Sequence, residues 1–416
     1  MLRMNKFIAQ LRKNYLIILP IVFIVLIAQI DKYDQLTTSG TFAAAIRLAI
    51  PICLAGLGGM FSERTGVVNI GLEGMMIMGT WFGAWAAWLY GSWYGILAGI
   101  LGGAAFGLIH AVGTISFQVD HIVSGVAINI LAGGVARFLN VVAYSDVTQS
   151  ATMSPRIDNT VGDFTLPYFS GGEINGVKTS SLFGYLEDQN IVFLSDFAAL
   201  LLGATSNISY VSLFALSLIP IAAWVLWSTP FGLQLRSVGE YPSGSESLGV
   251  NVYLMKYIGV VLSGGFSGLA GAYLVLESSG IYREGQTAGR GFIGLASMIF
   301  GNYKPLGIFM GSGLFGFADA LQLRSEEAVH GLLILVFLIL ILVAIKQLID
   351  KKYFNASMSV LIGIGFLVWF LNSEAVPNEF VYFTPHLATL IVLSSASQKL
   401  RMPKSVGLPY KKGELS

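Results

Sequence analysis

Charge is scarce in this 416-residue chain: Asp, Glu, Lys and Arg make up 11% of it, against 55% hydrophobic residues. Soluble domains carry about 25% charged residues. So few charges do not cover a water-facing surface, which leaves lipid as the solvent around most of it. Cysteine is nearly absent too. Cys53 stands alone in an apolar segment, which excludes a disulfide framework and makes it a small buried apolar residue. The four histidines are scattered, and no H-E-x-x-H or Cys/His cluster points to a metal. No G-x-x-x-x-G-K-[ST] loop occurs, so the usual cradle for ATP phosphates is missing. A net charge of +1 gives no basic footprint for nucleic acid. A small-residue cleavage site is also lacking after YLIILPIVFIVLIAQI at 15–30, which follows Arg3, Lys6, Arg12 and Lys13. That stretch is read as a retained first span rather than a cleaved leader.

What the chain has in quantity is apolar runs and glycine. The runs predict an all-α fold, a polytopic transmembrane bundle of about ten to twelve spans, some discontinuous, forming one transmembrane domain over 1–416. The candidates are 15–30, 43–60, 68–90, 93–116, 121–143, 209–228, 252–276, 287–301, 305–322, 328–347, 357–372 and 380–397. The shortest, 287–301, reads as a half-helix or re-entrant element. Lys and Arg place the N-terminus in the cytoplasm, and counting spans puts 229–251, 346–356 and the C-terminus on the same side. Lys346, Lys351, Lys352, Lys399, Arg401, Lys404, Lys411 and Lys412 agree with that count. The 144–208 stretch is then an external insertion, whose apolar part 191–203 either dips into the membrane or packs on its surface.

Gly95, Gly99, Gly103 and Gly107 recur every four residues, a flat stripe for close helix approach. LSGGFSG at 262–268 has the look of an ATPase signature loop, but it lies inside an apolar span, so Gly264 and Gly268 are read as packing positions. Trp85, Trp88, Tyr90, Trp93 and Tyr94 read as an interfacial aromatic belt. GLEGMMIMG at 71–79 is weakly echoed by GLASMIFG at 294–301, a pattern seen in transporters built from two related halves.

Three polar segments carry the candidate chemistry. In SERTGVVNIGLEGMMIMG (62–79), charge among glycines reads as a broken helix lining a pathway, chiefly through Asn69 and Glu73. The plainer alternative is a turn at 62–66 followed by a helix with one paired glutamate. In 277–302, Glu277, Arg283, Glu284, Gln286 and Arg290 stand between apolar spans, and Gly289 and Gly291 flank Arg290 as if in a tight turn facing a cavity. An outer loop is the alternative. The third, 229–251, is polar and lies mid-chain. Gly239 and Pro242 mark turn points around a short stretch suited to a surface helix, either a plain connection or a site where a motor docks.

These residues resemble a known family, the membrane permease subunits of ribose-type and nucleoside-type ABC importers. The ER-x-GV-x-NIGLEGMM pattern matches 63–76, G-x-x-L-R-x-VGE-x-P matches 232–242, GRGF-IGLA-x-x-IFGN matches 289–302, and a closing GLPY matches 407–410. The full NIGLEGMM form is most similar to nucleoside permeases served by a lipoprotein. The resemblance implies a permease in the bacterial cytoplasmic membrane with both termini cytoplasmic. It also implies an ABC ATPase subunit, a second, related permease subunit and an extracytoplasmic substrate-binding lipoprotein as partners. ATP and Mg would act on the ATPase, with no cofactor on this chain. Arg236, Gly239, Glu240, Pro242, Glu246 and Gly249 would form the coupling segment, and Asn69, Glu73, Arg290 and Phe292 fit a pathway for a neutral polar solute. Gly244 and Ser245 depart from two alanines usual in the family, which weakens that helix. A simple sugar such as ribose is the alternative cargo. An ion-coupled secondary transporter using Asp319 and Glu73 is the competing class.

Overall fold

The computed structural model describes residues 19–157, 161–324, 326–377 and 401–413. The expected span at 380–397 and the basic N-terminal cluster lie outside the described residues. The described residues open with α1 (Leu19–Ala28) and a 3-10 turn, Asp31–Leu36. Helix α2 (Ser39–Glu63) continues through Pro51, and α3 (Leu72–Tyr90) follows the turn 64–71. Gly91, at φ +99°, reverses the chain in one residue, as a residue with a Cβ rarely does. Helix α4 (Ser92–Ala111) runs on through a π-turn to Ser116. The Asp120 carboxylate accepts from the Ile122 and Val123 amides and so caps α5 (His121–Thr148).

The segment after α5 is mixed. Strand β1 (Asp163–Phe164) comes first, then a hairpin of β2 (Glu173–Ile174) and β3 (Val177–Lys178). Asn175 and Gly176 turn that hairpin with φ of +52° and +80°, the pair a type I′ turn demands. Helices α6 (Leu182–Glu187) and α7 (Leu194–Thr205) follow, and β4 (Ile208–Ser209) pairs antiparallel with β1. The apolar part of the insertion is thus a helix of 12 residues, too short to cross a bilayer.

The second half contains α8 (Tyr210–Ser228), α9 (Pro230–Glu240), α10 (Pro242–Ser247) and α11 (Val252–Tyr273), which extends by a π-turn to Ser279. Then come α12 (Arg290–Phe300), α13 (Pro305–Arg324), α14 (Glu326–Ile349) and α15 (Tyr353–Asn372). Among the described residues, eight helical stretches are long and apolar enough to cross a membrane; they lie in α2, α4, α5, α8, α11, α13, α14 and α15. The chain is a multi-pass helical membrane protein. At 11 residues, α12 is about 16 Å long, half the hydrocarbon thickness.

The chain divides into two compact units. One comprises the described parts of 1–45, 165–206 and 317–388. Its core gathers Ile27, Tyr33, Leu36, Leu321, Val329 and Leu333. The Tyr33 hydroxyl meets His330 Nδ1 at 2.8 Å, and the His330 ring stacks on Phe370.

The other unit comprises 46–164, 207–316 and the C-terminal segment. Its centre is the contact of α3, α4 and α11. A Cβ on Gly103 would collide with Gly264 and Gly268 of α11, and one on Gly79 of α3 with the Gly268 backbone. Lipid is as apolar as these helices, so the contact rests on close van der Waals packing, which glycine permits. The aromatic belt divides. Tyr90, Trp93 and Tyr94 are exposed, whereas Trp85 and Trp88 pack inward with Trp81 and Tyr144.

Candidate functional site

The turn between α2 and α3 is tied by hydrogen bonds. The Ser62 hydroxyl donates to the Val67 carbonyl at 2.7 Å, and Gly66 takes φ +86°. Val68 is held from two helices: its amide donates to His121 Nδ1 at 3.2 Å, and its carbonyl lies 3.1 Å from His110 Nε2. A carbonyl only accepts, so in the neutral His110 ring Nε2 carries the proton and Nδ1 accepts from Ser124, 2.8 Å away. Sequence reading left these histidines scattered. They converge on one residue, a contact between distant positions that no local pattern carries.

Asn69 is fully buried. Its Oδ1 accepts from the Gly71 amide at 3.0 Å, and its Nδ2 donates to Ser263 of α11 at 2.9 Å. Asn129 of α5 completes the start of α3, accepting from the Gly74 amide at 2.7 Å and donating to the Ile70 carbonyl at 3.1 Å.

Glu73 joins the two Gly-rich segments. Helix α12 has no side-chain cap of its own, and its N-cap Gly289 is left-handed at φ +78°. The buried Glu73 carboxylate supplies the cap from α3: Oε1 accepts from the Gly289 amide at 2.9 Å and Oε2 from Gly291 at 2.7 Å. A negative group at a helix N-terminus satisfies its orphan amides and opposes its dipole. A Cβ on Gly291 would lie 2.6 Å from the Glu73 backbone, so the approach requires glycine. Arg290 sits between those glycines, half-buried, with Nη1 3.4 Å from the Gln286 and Thr287 carbonyls. Phe292, in the same turn, is 46% exposed. The structure therefore brings Glu73, Arg290 and Phe292 together at one half-helix end. Asn69 stands apart on the preceding turn.

The 229–251 segment is two helices. Pro230 and Pro242 each open one, as proline does where no amide is needed. Gly239 is therefore inside α9 and not a turn point; a Cβ there would collide with the Arg64 carbonyl. The Arg64 guanidinium lies 5.5 Å from the Trp227 ring centre and 5.7 Å from Tyr303, while Arg236 lies 5.7 Å from the same Trp227. Arg64 also donates to the Tyr303 carbonyl at 2.9 Å. Burial pulls the Arg64 guanidinium below its ordinary value, and Glu240 opposes that shift. Burial likewise pushes the Tyr303 phenol up, with Glu63 adding to it. Glu240 is exposed, Pro242 buried and Glu246 half-buried. Gly249 ends the segment at φ +84°. At the departing position, Gly244, a Cβ would collide with the Tyr241 ring, which is why alanine does not fit here.

Sequence reasoning also missed the role of the C-terminal GLPY. The Ser405 amide donates to the Gly239 carbonyl at 2.9 Å and the Gly407 amide to Gly66 at 3.0 Å. The Tyr410 hydroxyl donates to Glu246 Oε2 at 2.7 Å. Burial first, then the Glu246 carboxylate, push the Tyr410 phenol up, so it stays protonated as the donor.

Comparison with known proteins follows the same segments. The family profile described as branched-chain amino acid transport system / permease component matches residues 41–343. The guanosine ABC transporter permease protein NupQ of Bacillus subtilis is 32% identical over 383 residues, 89% of this chain and 96% of its own length. The nucleoside ABC transporter permease protein NupC of Lactococcus lactis is 31% identical over 381 residues, 88% of this chain and 94% of its own. A putative glucose ABC transporter permease protein, TsgC13 of Haloferax volcanii, is 32% identical over 291 residues, 70% of this chain and 78% of its own. No solved structure matches. With the profile covering both the Glu73–α12 junction and the α9–α10 segment, the chain belongs to this family of transport-system permease components.

Proposed function

We propose that this chain is the channel-forming permease subunit of an ATP-driven importer that carries a nucleoside across the bacterial cytoplasmic membrane. The near-full-length likeness to two permeases named for guanosine and nucleosides carries the reading. The relative named for glucose aligns over a smaller share, which favours a nucleoside over a ribose-type sugar.

In this reading the chain is a single permease domain of ten to twelve spans with both termini cytoplasmic and 144–208 an external insertion. The 229–251 segment faces the cytoplasm and docks the ABC ATPase through Arg236, Gly239, Glu240, Pro242, Glu246 and Gly249. ATP and Mg act on that partner. A second, related permease completes the channel, and a substrate-binding lipoprotein delivers the cargo. Phe292 and Arg290 face the pathway, offering an aromatic surface and hydrogen-bond donors to a neutral, flat-based solute. Glu73 and Asn69 hold the half-helix and turn behind them. ATP binding and hydrolysis bias an equilibrium between outward-open and inward-open states.

Uptake of labelled guanosine by cells carrying the intact transporter tests this. Unlabelled nucleosides compete and ribose does not. Joint charge reversal, Arg236→Glu, Glu240→Lys and Glu246→Lys, abolishes uptake while the chain still inserts. Competition by ribose alone overturns the cargo assignment, and undiminished uptake in the triple variant overturns the docking assignment.

A further inference from the structure

The C-terminal segment 401–413 is tied down along its length. In chain order the Arg401 amide donates to Asn302 Oδ1 at 2.7 Å, Ser405 to the Gly239 and Glu240 carbonyls, Gly407 to Gly66, and Tyr410 to Glu246. Half-buried Tyr410 lines a cavity of about 10 Å³ with Val67, Thr114 and Tyr253, and Leu408 and Pro409 stand exposed at its edge. That is at most room for one water. The Tyr410 ring packs on Tyr253 at 5.4 Å and lies 6.0 Å from the Lys256 ammonium.

The helices beneath it need this support. The last carbonyls of α9 have no partner within the helix, and Ser405 supplies two donors. Helix α10 is six residues, PSGSES, with no side-chain cap, too short and too poor in helix formers to hold its shape alone. Directly after it, Leu248 is 87% exposed, an apolar group presented outward, and Tyr241, just before α10, is 56% exposed.

We propose that the 401–413 strap is a positioning element of the docking segment: the Tyr410–Glu246 hydrogen bond fixes the orientation in which α10 and Leu248 meet the ATPase. The inference rests on the reading of α9–α10 as the docking segment. Because the strap also holds Gly66 in the α2–α3 turn and Asn302 just after α12, displacement of α10 is passed to both.

Tyr410→Phe removes one hydroxyl and tests this in the full-length solubilised chain, with the ATPase subunit purified from the intact transporter as the probe. The dissociation constant rises about tenfold, the size of a hydrogen bond to a charged group, with the thermal midpoint unmoved. Glu246→Ala, which removes the acceptor, binds at least as weakly as Tyr410→Phe, and the double variant binds no more weakly than Glu246→Ala alone. Native binding by Tyr410→Phe, or additive losses in the double variant, overturns the strap inference and leaves the docking segment standing. A Tyr410→Phe chain that loses thermal stability together with binding also overturns it, since the tyrosine then serves folding in general. If the native chain binds no ATPase subunit, the docking reading fails and this inference fails with it.

Discussion

The long helices α3, α4 and α11 meet by shape, and the short helices α9, α10 and α12 are held by hydrogen bonds from elsewhere. At the first contact Gly79, Gly103, Gly264 and Gly268 bring backbones together with no room for a methyl group. At the second, the bonds come from Glu73, Ser405 and Tyr410, groups distant in sequence. Packing of the first kind has many small contacts and no single one to release, so it behaves as one body. Bonds of the second kind are few and directional and can be exchanged one at a time, which suits parts that change position. The separation also tells which substitutions harm the packed helices and which harm the hydrogen-bonded ones.

The largest test of this division uses two glycines three residues apart on α11. Gly268→Ala puts a methyl into the Gly99 and Gly103 backbone and costs about 1–3 kcal/mol. At Gly265 the nearest atom to such a methyl is Ile100 Cγ2 at 3.6 Å, an ordinary contact, so Gly265→Ala is neutral or stabilising by about 0.5–1 kcal/mol. Gly268→Ala must lower the thermal midpoint of the purified chain and Gly265→Ala must not, or shape does not govern the contact.

Glu73→Ala is next. It strips the cap from α12 and leaves the Gly289 and Gly291 amides without their acceptor, at about 1–3 kcal/mol. The loss is local, so hydrogen exchange at 289–292 speeds up while the α4 and α11 amides keep their protection. A uniform loss of protection would erase the distinction between the two regions.

The smallest effect is at Gly244. Gly244→Ala alone collides with the Tyr241 ring and disturbs α10. Paired with Tyr241→Ala the space opens, and the gain in helix propensity is about 0.5–1 kcal/mol. Helicity of α10, followed by exchange at 243–247, falls in the single variant and recovers in the double.

The sequence carried the first region well and the second poorly. The four-residue glycine stripe and the apolar run around LSGGFSG are local patterns, and α4 and α11 pack through them. The brevity of 287–301 was equally local and matches the 11-residue α12. The partner of Glu73 was not legible, because Gly289 lies 216 residues away. His110 and His121 converge on Val68 only after α4 and α5 fold, and GLPY has no period to mark it as a strap. One missed signal was on the surface of the sequence: Asn175-Gly176 between Ile174 and Val177 is a hairpin dipeptide. The turn point read at Pro242 is the first position of α10, where proline begins a helix.

Val68 has a mechanical consequence. Its donor is gripped by a side chain from α5 and its acceptor by one from α4, so this stretch of backbone cannot rotate unless both helices turn with it. The turn between α2 and α3 is thus tied to two helices at once, one residue before Asn69 and five before Glu73.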